Sequence, residues 1–208
     1  MTLKHIIYSA VIALLGAGTI QAKTDLEKYH EEITELSVDD NLLTPEIPRR
    51  QTELAKGAMS YLANTMARKG LQTDLSERGG LVLMVTVPAS TLFGANDTIV
   101  TPGAVGTLME IIRPLRTPDK YKLLIAVHSD DTGAEEYLNA LTQTRADALV
   151  DWIAAQGIPT AAIVPYGLGY DEPLNTEASR SGRAANRRVE FYYVPGPVMI
   201  EELKAGRR

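Results

Sequence analysis

The chain has 208 residues, 45% apolar and 23% charged, which is enough apolar mass for a packed core and too much for global disorder. Its formal charge of -5 argues against general nucleic-acid binding. It holds no cysteine, which removes disulfides, thiolate metal sites, a catalytic thiol and the lipid-modified cysteine of bacterial lipoproteins.

Residues 1–22 read as a signal peptide. Lys4 and His5 form the positive n-region, Ile6 to Ile20 the apolar region, and Ala22 the cleavage position. Ile20 is large for a residue near the cut, so retention as an uncleaved anchor is the alternative reading. Gly16 and Gly18 interrupt the apolar run, which favours removal. No later run is long and apolar enough to cross a bilayer. A soluble periplasmic chain is expected, with any outer-membrane association made through a partner; an exported chain without disulfides suits a bacterial periplasm.

Residues 23–79 are predicted to be a helical segment with a linker. Asp25 to Leu36 is charged and helical in character, a solvated or partner-seeking helix. Ser37 to Arg50 holds Asp39, Asp40, Pro45 and Pro48 and reads as a linker. From Gln51 to Lys69, residues Leu54, Ala55, Ala58, Met59, Leu62 and Met66 recur at helical spacing. That helix is expected to pack on the next domain. The segment as a whole is the expected contact for an envelope protein partner.

Residues 80–195 are predicted to form the main domain. Leu81 to Val87 is a short apolar run rich in β-branched residues, a buried strand that Pro88 ends. A polar loop follows, then a helix opened by Pro102 with Val105, Leu108, Ile111, Ile112 and Leu115 on its apolar face. Tyr121 to Val127 is a second strand. Ala134 to Gln156 is a long helix that Gly157 stops. Ala161 to Leu168 is a third strand, where Pro165 signals an edge or a bulge. Val189 to Val194 is the last. Such alternation predicts an α/β domain, a two-layer α+β sandwich. Residues 196–208 are a tail with room for a short helix.

The long helix carries an anomaly. Its apolar stripe runs through Leu138, Leu141, Leu149, Trp152 and Ile153, and Arg145 falls at the stripe's centre. A buried guanidinium needs a partner, whose loss costs about 3–5 kcal/mol. The turn His128-Ser-Asp-Asp-Thr-Gly133 lies between the second strand and this helix, so Asp130 is the candidate partner. Two readings stay open: an internal Asp130–Arg145 salt bridge, or a carboxylate and a guanidinium clasping a zwitterionic ligand. Asp131 reads as a solvated turn residue or helix cap.

Other constellations point away from an enzyme. His128, Ser129 and Asp130 are the residue types of a hydrolase triad, but neighbours on an extended strand alternate faces and cannot form that relay. No H-E-x-x-H, G-x-S-x-G or P-loop occurs. No cofactor and no metal are expected. Arg180, Arg183, Arg187 and Arg188 cluster before the last strand, without the interleaved aromatics that single-strand nucleic-acid binding requires.

Together, His128–Gly133, Leu141-Thr-Gln-Thr-Arg-Ala146, Gly157-Ile158, Gly167-Leu-Gly-Tyr-Asp-Glu-Pro173 and Gly182-Arg-Ala-Ala-Asn-Arg-Arg-Val-Glu190 resemble the OmpA-like C-terminal peptidoglycan-binding domain. Leu92 to Asp97 resembles that family's opening loop more weakly. The resemblance implies a β-α-β-α-β-β fold and noncovalent binding of the diaminopimelate in a peptidoglycan stem peptide. It implies that Asp130 takes the ammonium, Arg145 the carboxylate, and Thr132 contributes hydrogen bonds, with Arg187 near the pocket. Asn186 and Arg188 would hold the fold. Leu138 stands where the family often has Asn, and Gly94 where it often has an acid. The rival expectation is an envelope assembly protein that uses the fold for protein contacts and binds no wall.

Overall fold

The computed structural model describes residues 24–42, 47 and 49–206. The expected signal segment, residues 1–22, lies outside them. Helix α1 spans Asp25–Glu35. Thr24 opens it as a capping box: its hydroxyl accepts from the Glu27 N–H at 3.2 Å, and the Glu27 carboxylate accepts from the Thr24 N–H at 2.7 Å. The single turn α2 covers Val38–Asn41, and α3 covers Arg49–Ala67. Then come β1 (Gln72–Asp74), β2 (Leu83–Pro88), α4 (Ala89–Leu92) and α5 (Val105–Ile112). The chain continues through β3 (Tyr121–Val127), α6 (Glu135–Ala155) and β4 (Ile163–Gly167). It ends in α7 (Arg180–Asn186), β5 (Arg188–Pro195) and α8 (Pro197–Lys204).

The five strands form one sheet in the order β1-β2-β5-β3-β4. β3 and β4 are parallel, and the other neighbours are antiparallel. From β2 onward the order is β-α-β-α-β-β, apart from the one-turn α4, the short α7 and the closing helix α8. Pro165 sits on the edge strand β4, where a missing N–H costs no ladder bond. Gly157 takes φ +76 just past α6, a backbone conformation that favours glycine.

Strand alternation sorts the side chains. Leu83, Val85, Val87, Leu123, Ile125, Val127, Val189, Phe191 and Tyr193 face the helices α3, α5, α6 and α8 and make the main core with them. This is the two-layer sandwich. The opposite face of the sheet is not bare. There Val82, Leu124 and Val194 pack with Leu42, and Ala162 and Val164 pack with Ile33. The N-terminal stretch 24–42 therefore straps across the outer face.

Several expectations change. The stretch Ser37 to Arg50, read as a linker, contains α2, whose Asn41 is fully buried. Asn41 donates to the Ile33 carbonyl at 2.7 Å and to the Tyr166 hydroxyl at 2.6 Å, and accepts from Lys122 at 3.0 Å. A short amide at the centre of a polar cluster ties the strap down. The helix read as solvated buries Ile33 and brings His30 within 2.7 Å of Asp119. Leu54, placed on the apolar face of α3, is exposed, as is Val105 on α5. Residue 80 is no boundary in the packing: β1 pairs with β2, and α3 buries Ala55, Met59 and Met66 in the common core. The tail helix α8 adds Met199 and Leu203 to that core.

Candidate functional site

The end of β3 is clamped before it reaches the site. The His128 N–H donates to the Arg188 carbonyl at 2.9 Å, and the Ser129 N–H to the Gly169 carbonyl at 2.6 Å. His128, Ser129 and Asp130 are all buried. His128 Nε2 lies 3.1 Å from Glu190, on the outer face. Glu190 also accepts from Tyr192 and Arg188, both at 2.6 Å. Burial pushes its carboxyl up, but the His128, Tyr192 and Arg188 contacts prevail and hold it at about 2. This buried cluster is a rigid floor beneath the turn. His128 and Asp130 have separate partners and form no relay.

Asp130 is the turn's anchor. One carboxylate oxygen accepts from the Thr132 N–H at 3.0 Å and from the Thr132 hydroxyl. The other accepts from Arg187. Burial raises its pKa, but the Thr132 and Arg187 hydrogen bonds together hold it below the ordinary carboxylate value. Asp130 is therefore ionised. A second pair runs beside the first: Arg183 Nε donates to Asp131 at 2.7 Å. Asp131, read as solvated, thus helps tie the turn to α7. The signal was available, because Arg183 and Arg187 are four apart and share a helix face.

Arg145 is 6% exposed and is not paired with Asp130. Its Nε donates to the Asp97 carbonyl at 2.8 Å and its Nη2 to the Gly94 carbonyl at 3.0 Å. The guanidinium lies 5.0 Å from the centre of the Phe93 ring. Burial lowers its pKa, while Tyr137 and Asp97 raise it. The loop it grips is itself ordered: the Asp97 carboxylate accepts from the N–H groups of Thr98 and Ile99 at 2.7 and 3.0 Å. The internal Asp130–Arg145 bridge is therefore absent. Two backbone carbonyls supply the acceptors that a carboxylate was expected to supply, and Arg187 fills the place beside Asp130.

The remaining residues sort plainly. Asn186 pins the 170s loop, accepting from the Asn175 N–H at 2.9 Å and donating to the Asn175 carbonyl at 2.8 Å. Leu138 is buried under the turn, where a Cβ on Gly133 would come within 2.9 Å of it. Gly167 brings β4 against α6: a Cβ there would lie 2.1 Å from the Gln143 nitrogen. Among the described residues, no group of three or more His, Cys, Asp or Glu could hold a metal ion, and no helix is long and apolar enough to cross a membrane. Sequence reasoning missed Phe93 and the two carbonyls under Arg145.

A β-α-β-α-β-β sandwich with an acidic turn after its central strand and an arginine at mid-helix defines a domain of the OmpA-like class. Residues 92–187 match the model of the OmpA family. It is 36% identical over 98 residues to the outer-membrane lipoprotein YfiB of Pseudomonas aeruginosa, covering 47% of this chain and 58% of that protein. It is 29% identical over 102 residues to the peptidoglycan-associated lipoprotein of Legionella pneumophila, covering 49% of this chain and 58% of that one. The chain thus spans little more than half the length of these curated relatives. Among solved structures, the cell wall anchor of the T6SS from Pseudomonas aeruginosa superposes with a TM-score of 0.55 at 26% identity, over 65% of this chain and 95% of that one.

Proposed function

We propose that this chain binds peptidoglycan noncovalently through the diaminopimelate of the stem peptide, and so positions an envelope protein or complex against the wall. One relative is named for its association with peptidoglycan and one solved neighbour as a cell wall anchor. The observation that carries the reading is the division of charge at the site. Asp130 is an ionised carboxylate, and Arg145 is a buried guanidinium that makes no salt bridge among the described residues.

Diaminopimelate ends in an ammonium and a carboxylate on one carbon. The ammonium goes to Asp130 and the carboxylate to Arg145, with the Thr132 hydroxyl as an added hydrogen-bonding group. Arg187 must then yield Asp130. Its side chain is 44% exposed, so it regains water when it swings away, and the exchange costs about 1 kcal/mol or less. No bond is made or broken, and no cofactor takes part. The chain would work in the periplasm after cleavage near Ala22, with a partner linking it to the outer membrane. Within residues 23–79, the exposed Leu54 and Tyr61 lie on one stripe of α3 and are the face offered to an envelope protein.

The rival reading, an assembly protein that binds no wall, draws on one observation: Asp130 already has Arg187 as an internal partner. Retention on purified sacculi separates the two. Wild type is expected to sediment with the wall, and Asp130→Asn and Arg145→Lys to remain in solution while melting as folded proteins. Equal retention of the folded variants and wild type would overturn the diaminopimelate reading.

A further inference from the structure

A groove of about 550 Å³ lies at the same end of the sheet as Asp130 and has no part in the reading above. The turn after α3 and the start of β1 give it Lys69, Leu71 and Gln72. The end of β2 and α4 give Thr86, Pro88 and Thr91, and the first turns of α5 give Gly106, Thr107 and Glu110. The pairing register places it. β2 and β3 both run antiparallel to β5, with Pro88 opposite Arg188 and Val127 opposite Val189, so the two strands finish level. The Ala89 N–H also donates to the Arg187 carbonyl at 2.9 Å. The segment 88–94 therefore walls the groove at one end and, through Phe93 and Gly94, seats Arg145 at the other.

The lining selects a neutral ligand. The lining itself holds one cation and one anion, Lys69 and Glu110, 3.9 Å apart, and Arg113 from outside the lining donates to Glu110 at 2.9 Å. What remains is bifunctional: three threonine hydroxyls and the Gln72 amide, each able to donate and accept. Leu71 and Pro88 offer apolar surface for C–H faces. At Gly103 and Gly106 a Cβ would meet nothing within 4 Å, so two stretches of the lining are bare backbone. A volume of this size accommodates a small ligand through a few convergent polar groups. A peptide adding to the edge of the sheet is less suited, because β1 offers only Gln72–Asp74.

We propose that this groove binds a neutral oligosaccharide, namely the N-acetylated amino-sugar glycan that carries the stem peptide. The identity of that sugar rests on the peptidoglycan reading above; the neutral, hydroxyl-rich character of the groove does not. Sugar and peptide would then be gripped at one end of the sheet as two linked halves of a single ligand, each raising the effective concentration of the other.

Calorimetric titration of the full chain tests this with three probes: a diaminopimelate-containing stem peptide free of sugar, glycan oligomers free of peptide, and the disaccharide-linked stem peptide. Gly106→Trp fills the groove from a position with open space, and Gly103→Trp is a second such block; thermal melts check both folds. Peptide-free glycan is expected to bind wild type and to lose about tenfold or more in affinity in the Trp variants. The linked ligand is expected to bind wild type about tenfold tighter than the bare peptide, an advantage that either block abolishes. Bare peptide should be unaffected. Failure of glycan to bind wild type, or unchanged glycan binding in folded Trp variants, overturns the proposal. Selective loss of bare peptide in those variants also overturns it, in favour of a peptide groove. If glycan binds and is lost on blocking while bare peptide never binds, the groove stands and the diaminopimelate reading falls.

Discussion

Arg187 holds the carboxylate of Asp130 across 57 residues of sequence, and their unequal exposure governs what the pair can do. Asp130 is sealed at 5% side-chain exposure, whereas Arg187 is 44% exposed. The acid is fixed, and the base is a removable cover. An incoming ammonium competes only with a partner that water will readily take back. Arg145 is the reverse case, a buried cation held by carbonyls that cannot move without moving the loop 94–97.

Removing the cover should therefore favour ligand binding at a small cost in stability. Arg187→Ala is expected to destabilise the domain by about 1 kcal/mol or less. It should retain or improve affinity for the stem peptide, provided Arg187 makes no contact of its own with the ligand. Asp130→Asn should abolish binding. Urea titrations paired with sacculus retention check both, and a loss of binding in Arg187→Ala equal to that in Asp130→Asn would make Arg187 a direct ligand contact.

The carbonyl seat of Arg145 gives a second expectation. Arg145→Met keeps an apolar stem but leaves the Gly94 and Asp97 carbonyls without their donors. Charged hydrogen bonds of this kind contribute about 1.5–3 kcal/mol each, so a loss of about 3–6 kcal/mol is expected for the two. The effect should be local. Amide hydrogen exchange should accelerate over residues 93–100, and that over β3 and β5 should follow only the global change. Uniform acceleration would mean that Arg145 supports the core rather than the loop.

What could be read in the chain beforehand follows from how each feature leaves its mark. The strands β2, β3 and β5 are runs of β-branched and aromatic residues, and α6 has an apolar stripe closed by Gly157, so period and punctuation sufficed. β1 is three polar residues whose only reason to be a strand is the edge of β2. The strap was hidden because α1 buries little beyond Ile33 and looks solvated in composition. The apolar stripe around Arg145 demands acceptors for its guanidinium, but backbone carbonyls leave no trace in side-chain identity, so the sequence points to an acid while the acceptors are the Asp97 and Gly94 carbonyls. Gly167 looked like a turn residue; its close approach to Gln143 is a tertiary fact with no local signature.

Glu190 predicts an acid-dependent stability. Its carboxyl is held at about 2, below the ordinary 4.5, so its ionic contacts contribute fully above the higher value and are lost as pH falls through the lower. Breaking a buried charged cluster by removing one member costs about 3–5 kcal/mol. Glu190→Gln should therefore lose about that much at pH 7 and show a shallower decline between pH 5 and pH 2. Denaturant melts across that range decide it; a parallel decline in both proteins would place the acid sensitivity elsewhere.

Lys122 predicts the opposite slope at the alkaline end. It is 3% exposed on the outer face of the sheet, beneath the strap, with the Asn41 side-chain carbonyl as acceptor at 3.0 Å. Burial lowers its pKa from 10.5 to about 8. Between those two values the unfolded chain keeps the proton that the folded chain has released, so stability rises with pH across that window. Below about 8 both states are protonated, and the desolvation cost is present in full. The gain from pH 8 to pH 10 should be on the order of 1–3 kcal/mol. Asn41 links Lys122 to Ile33 and Tyr166, so the strap should register the gain directly: exchange of the Ile33 and Asn41 amides, corrected for the intrinsic rise with pH, should slow as pH increases. Lys122→Met removes the titrating group and should flatten both the stability curve and the exchange trend. A slope that survives in Lys122→Met would assign the alkaline dependence to another group and leave the lysine as a neutral spacer beneath the strap.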